Sequence, residues 1–590
     1  MLTSLPDKLR YTKIEQKFLF SEALKIGTIV VILLSSSESF AQSSSSHQTS
    51  SQEGQRQLQD IDQRLRQRLQ SQSPETIKNT TTPESKKTNE QPSPTVLINS
   101  ITVTGSHILS QKEIDAIIKP FEGQKMSLTD MQKLTELLTN ALRKKGYVTT
   151  HAILPPQKLT NGTLEIKIIE GRMGNVQVQG NHYFSKRTFT RRITLHQGEL
   201  FDYDKFRHNL GIINQYPDHH AKATLVPGQE PLQTDIVLDV KDQLPIHAGV
   251  SYDNFLSRYV GKGEFTGTLE DNNLLGFDDA LTLNYITTPH NTYRLTSARY
   301  LLPLTNSTDI GFYASQNKVG LQKELKIFEA RGKSKSYSIF IDQNLVNGDN
   351  LKITANAGFD YKDVFNFASD NESRDRLRIA KTGFNMDFTD PFYGRDIINN
   401  EFSQGIPNII GGLNSVDPLG SRLGAGGKFS KDMIDFLRLQ RLPFGLSLFT
   451  KFEAQFSSRT LTATEQYQLG GIANLRGYAP GEASGDSGQS ATAELTLPLY
   501  FLPTTRHVPF SKTSWNDSLR LAGFYDWGHV HLRTAQFGEF KKTSLNSLGC
   551  GIRFNLVEGF SSRVDVGWPM DPQSSDHEHM HIWFQITKNF

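Results

Sequence analysis

The sequence predicts a transmembrane β-barrel preceded by two small α+β modules. Three observations predict this fold class: a secretory leader, an α+β pattern that occurs twice, and a long remainder of alternating strand-length segments ending on an aromatic residue. At 590 residues the chain has room for several domains. A net charge of only +3 gives no general polyanion-binding signal, so no nucleic-acid partner is expected. The one cysteine, Cys550, excludes an intramolecular disulfide framework and argues against a cysteine-based metal site.

The leader comes first. Lys8, Arg10, Lys13, Lys17 and Lys25 precede the apolar run Ile26 to Leu34, and Ser39-Phe40-Ala41 forms a small-x-small site before Gln42. The run is well short of the ~20 residues that a spanning helix needs. Residues 1–41 are therefore expected to be a cleaved signal peptide, and a nearly cysteine-free exported chain suits a bacterial envelope protein. Residues 42–95 read as linker around one narrow helical stripe, Leu58, Ile61, Leu65 and Leu69, set among Arg and Gln. Such a helix suits either a short coiled coil or a polar tunnel.

The first module, residues 96–173, runs strand, helix, helix, strand, strand. Ser110 with Glu113, and Ser127 with Asp130, are capping boxes. The second box opens a helix with Met131, Leu134, Leu138 and Leu142 on one face, closed by Arg143, Lys144, Lys145 and Gly146. Val103-Thr104-Gly105-Ser106-His107 returns as Val178-Gln179-Gly180-Asn181-His182, marking a second copy over residues 174–244. Within that copy His219 and His220, beside Pro217 and Asp218, are expected in a turn.

From residue 245 to 590 the texture is that of a barrel. Leu548, Cys550, Ile552, Phe554 and Leu556 alternate with Gly549, Gly551, Arg553 and Asn555, and Val564, Val566 and Trp568 alternate with Arg563 and Asp565. The chain closes on HIWFQITKNF, with Ile582, Phe584, Ile586 and Phe590 on one face. Lys588 breaks that apolar parity and is expected to snorkel.

Several segments of this chain resemble the TpsB transporters of two-partner (type Vb) secretion, the haemolysin secretion and activation group. The Pro-Pro-Gln, Asn-Gly-Thr-Leu and Glu-Gly-Arg elements between Gly146 and Met173 are similar to that family's first POTRA domain, and Ala223 to Asp242 is similar to its second. Tyr252-Asp253-Asn254 and Asp271 to Tyr285 are similar to its opening barrel strands. The resemblance implies sixteen strands, two periplasmic POTRA domains, an N-terminal helix that plugs the lumen, and residence in the outer membrane. The implied function is export of a large unfolded partner, a TpsA-type adhesin, haemolysin or related exoprotein bound by the POTRA domains, without bond making or cofactor. A barrel-assembly insertase of the same superfamily is the alternative, normally carrying more POTRA modules and no plug. A passive porin would have no need of such modules.

The resemblance also assigns site residues. Leu475-Arg476-Gly477-Tyr478 lies in the Gly- and Ser-rich stretch 474–488, matching the family's long extracellular loop, which folds back into the barrel. Phe524-Tyr525-Asp526-Trp527-Gly528 resembles the F-x-D-x-G pattern of the inner wall, and parity points Phe524, Asp526 and Gly528 toward the lumen. In the family the loop arginine, here Arg476, reaches the wall carboxylate, here Asp526. Guanidinium and carboxylate suit this because the planar fork makes two parallel charge-assisted hydrogen bonds.

Other motifs point nowhere catalytic. Gly426-Gly427-Lys428 falls short of a phosphate loop, with Arg422 where glycine is required and Phe429 in place of Ser or Thr. Gly485-Asp486-Ser487-Gly488-Gln489 imitates a nucleophile elbow but ends on Gln. The run Asp576 to His581 reads as a solvated loop rather than a metal site. No enzyme activity is expected.

Overall fold

The computed structural model describes residues 78–79 and 95–590, apart from residues 160, 321, 323–330, 349, 369–370, 501, 503–504, 536–538 and 572–575. The expected signal peptide and the stripe Leu58 to Leu69 lie outside the described residues. The chain forms two compact units, one holding the modules and the other the barrel.

The first module pairs strand Ser100–Thr104 in parallel with Thr163–Ile169, which pairs antiparallel with His151–Ile153. Helices Gln111–Ile118 and Leu128–Lys144 cover this sheet, with Leu134, Leu138 and Leu142 wholly buried as the spacing of the stripe requires. Both capping boxes are present. Asp130 accepts from the Ser127 N–H and hydroxyl while the Asp130 N–H donates back to Ser127 Oγ.

Glu113 takes three donors on one oxygen: Lys145 Nζ at 2.8 Å, the Ser110 N–H at 2.9 Å and the Ser110 hydroxyl at 2.8 Å. The Lys145 hydrogen bond first, then the two from Ser110, lower its pKa to about 2. A depressed folded-state pKa stabilises the fold above the ordinary glutamate value of 4.5, and that contribution is lost as pH falls toward about 2. The first module's unfolding midpoint should therefore fall across that window, and Glu113→Gln should flatten the fall. An unchanged profile in the variant would rule Glu113 out as its source.

The second module repeats the scheme. Arg172–Gln179 pairs in parallel with Gln233–Asp242, which pairs antiparallel with His219–Pro227. The repeated V-x-G-x-H has one physical meaning in both copies. Gly105 and Gly180 each take φ +82°, and an added Cβ would lie 2.7 Å from the Ile168 carbonyl oxygen or 2.5 Å from that of Val240. The following histidine N–H then donates to a carboxylate at the end of the neighbouring strand, Glu170 for His107 and Asp242 for His182.

His219 departs from expectation. The turn ends at Asp218, and His219 and His220 open a strand, with His219 buried and its ring edge-on to Phe184 and Phe189 at 4.8 and 5.0 Å. Two linker residues, Lys78–Asn79, add a parallel strand to this sheet against Thr224 and Leu225.

The barrel closes from sixteen antiparallel strands, the first, Ile246–Asp253, meeting the last, His581–Asn589, through Gly249↔Asn589 to Asp253↔Gln585. Outward positions carry exposed Phe265, Leu283, Tyr285, Phe312, Tyr337 and Leu521, an apolar belt that calls for lipid rather than water. Lys588, on the outward parity, bends to the Glu558 carbonyl oxygen in a turn. Because the chain enters the barrel at Ile246, connections after odd-numbered strands emerge at the opposite end. The three connections 406–429, 458–486 and 532–541 all emerge there.

Candidate functional site: a loop clasped to the inner wall

The connection 458–486 is an internal hairpin. Tyr467–Leu469 pairs with Ala483–Gly485, and residues 470–482 form the tip. The stretch 474–488, read from sequence as loop, thus ends in strand, with Ser487–Pro498 continuing as a barrel strand. The tip is braced internally: Asn474 accepts from the Gly470 N–H and donates to the Gln468 carbonyl, and the Gly471 N–H donates to the Tyr478 carbonyl. Those bonds hold the tip's backbone without any contact to the wall.

Arg476, 3% exposed, meets Asp526, which is wholly buried on strand Leu519–His531. Nε donates to Oδ2 at 2.9 Å and Nη2 to Oδ1 at 2.8 Å, a fork-on-fork pair, while the Arg476 backbone N–H adds a third bond at 3.1 Å. The guanidinium lies 3.3 Å from the centroid of Phe524. All the predicted residues come together here. Leu475 packs at Gly528, where a Cβ would come within 2.6 Å of Leu475 Cδ1. A Cβ on Gly477 would strike Ser547 Cβ at 2.5 Å and Pro569 N at 2.8 Å, so the loop backbone seats directly on the wall. Tyr478, fully buried, donates toward the Asn546 carbonyl and Asp571.

Sequence reasoning missed the rest of the seat. Arg476 Nη1 donates to Glu494, whose other oxygen accepts from Arg553 Nη2 at 2.9 Å. Arg553 pairs with Asp565 at 2.7 Å, and Asp565 with Arg563 at 2.5 Å. Three cations, Arg476 on the tip with Arg553 and Arg563 on the wall, thus alternate with three anions, which is how so many charges tolerate burial. Trp583 Nε1 donates to the Arg476 carbonyl at 2.7 Å. The available signal was inward parity, which placed Arg553, Arg563 and Asp565 on the polar face without saying which would meet. No group of side chains suited to hold a metal ion exists among the described residues.

The profile of the haemolysin secretion/activation proteins (ShlB/FhaC/HecB) matches residues 233–554, more than half the chain, and that of ShlB-type POTRA domains matches residues 96–171. The chain belongs to this haemolysin secretion/activation family. Among relatives of this family member is the heme/hemopexin transporter protein HuxB of Haemophilus influenzae strain 86-028NP, 23% identical over 81% of the chain and 84% of the relative. Another is the outer membrane transporter CdiB of Escherichia coli O6:K15:H31, 25% identical over 83% of each. CdiB from Escherichia coli shares the fold at a TM-score of 0.68 and 21% identity, over 92% of this chain and 98% of that one. BamA from Haemophilus ducreyi lacking POTRA domains 1-3 shares it more distantly, at 0.51 and 15% identity over 84% of this chain and all of that one. This haemolysin secretion/activation protein is accordingly an outer-membrane transporter of two-partner secretion rather than an insertase, with periplasmic POTRA domains and a secreted exoprotein as partner. The connections 406–429, 458–486 and 532–541 are then its extracellular loops.

Proposed function

We propose that Arg476 and Asp526 form the latch of the export pore, holding residues 470–482 against the wall until an exoprotein of the adhesin, haemolysin or related type engages the POTRA domains. The burial of Arg476 among Asp526, Glu494 and Phe524 carries this reading. A loop with no gating task has little reason to spend a forked charge pair on a lumen wall. Strand addition is the proposed mode of partner recognition, because it binds extended chains through backbone bonds while leaving sequence largely free. The parallel strand Lys78–Asn79 on His219–Pro227 supports this: that sheet edge accepts an added segment.

Two measurements test the proposal. In a strain lacking this chain the exoprotein should accumulate in the periplasm, and normal export would overturn the partner assignment. Asp526→Asn should reduce export while leaving the barrel assembled, because it removes the carboxylate that takes the Arg476 fork. Undiminished export by that variant would mean that the pair has no part in gating.

A further inference from the structure

The two motifs that carried no chemistry in the sequence meet at the outer mouth. Arg422, in the connection 406–429, and Asp486, at the foot of the latch hairpin, are 5% and 0% exposed. Arg422 Nη1 donates to Asp486 Oδ1 at 2.8 Å and to the Leu461 carbonyl at 3.3 Å, while Nη2 reaches the Thr534 carbonyl at 3.1 Å and Glu539 at 3.4 Å. Asp486 also accepts the N–H groups of Leu461 and Arg533, each at 2.8 Å. One arginine and one carboxylate therefore tie together three loops that emerge at the same end.

A second buried carboxylate, Asp375 on strand Asn371–Thr389, repeats the arrangement one residue earlier in the loop. It accepts the Ser421 N–H at 2.9 Å, the Ser421 hydroxyl at 2.7 Å and the Thr464 hydroxyl at 2.7 Å. The Ser421 oxygen in turn accepts the Ala463 N–H at 2.8 Å. Beneath these bonds Leu413 and Phe429 of the loop pack with Leu377, Ile379 and Leu461. Leu377 and Ile379 share the parity of Lys381, whose partners Asp360 and Glu401 belong to the polar inner face. Apolar residues at that parity are explained by a loop folded inward over them. Gly426 and Gly427 serve this fold, since an added Cβ would meet the Asn414 or Leu413 carbonyl oxygen at 2.6 Å.

We infer that residues 406–429 are an outer lid on the pore, pinned by Arg422, and that the lid must leave Asp486 and Asp375 before an exoprotein passes. This rests on the reading of the 470–482 tip as a latch only in that the lid is bonded to the segment 458–466, which leads into that tip.

The test uses the full chain in planar bilayers and in cells. Arg422→Ala should raise the frequency of channel opening at least tenfold, as breaking a buried ion pair would, and Arg422→Lys should restore part of the closure. Unchanged opening of Arg422→Ala, with heat-modifiable barrel migration intact, would overturn the inference. Should that variant fail to form a barrel, a Ser421→Cys, Ala463→Cys pair in a Cys550→Ser background gives an independent measurement. Oxidised, it should lower export at least tenfold, and reductant should restore it. Undiminished export with the disulfide formed would overturn the lid. Arg476→Ala without effect, alongside a disulfide that still blocks, would instead remove the inner latch and leave the lid standing.

Discussion

Arg476→Ala is expected to weaken seating of residues 470–482 by roughly a hundredfold and to impair exoprotein export while leaving the barrel assembled. The substitution leaves Asp526 wholly buried with its forked partner gone and Glu494 short of one cation. Breaking a buried pair from one side costs about 3 to 5 kcal/mol, and each 1.4 kcal/mol is about tenfold in an equilibrium. The loss falls on seating of the loop, because the sixteen-strand ladder contains no contact through Arg476. Immunoblotting of culture supernatants against heat-modifiable migration separates the two effects. Equal loss of folded barrel and of export would make Arg476 a structural residue. A double-mutant cycle with Asp526→Asn should show strong non-additivity, since the second change removes the orphaned charge. Arg476→Lys should rescue only partly, as a point charge cannot reproduce the fork.

Gly477→Val is expected to be nearly as damaging, by an unrelated cause. Every charge stays in place, but the new side chain has nowhere to go: an added Cβ already lies 2.8 Å from both Pro569 N and Trp568 C, which are backbone atoms of the wall. Overpacking of this kind costs about 1 to 3 kcal/mol, and here the flexible partner is the loop itself. The tip should lift, taking Arg476 with it. Limited proteolysis of intact cells should then cut within 470–482 in the variant and spare the parent. Resistance equal to that of the parent, with export intact, would show that the close approach is dispensable.

Much of this architecture was legible in the sequence, for local reasons. Strand parity announces which side of a barrel wall a residue faces, and caps and repeats are written in contiguous residues. The pairing of Arg476 with Asp526 was legible through resemblance, since fifty positions separate them and nothing local joins them. What stayed hidden depends on register and on folding of loops back upon the wall. Parity places Arg553 and Asp565 inward, but only the observed pairing, Gly551↔Asp565 and Arg553↔Arg563, brings Arg553 between Glu494 and Asp565. Arg422 was conspicuous solely as the wrong residue for a phosphate loop. Its burial comes from three other segments, none adjacent in sequence. His219 and His220 were misplaced, because a turn signalled by Pro217 and Asp218 does not say where the next strand begins.

The Trp583 indole that holds the Arg476 carbonyl belongs to the last strand of the chain, the one that completes the cylinder against Ile246–Asp253. The seal therefore waits on the final stave. A wall lacking that strand has no donor at this point, so a half-built transporter is missing part of its own lock, and the pore becomes fully closable only once construction is finished.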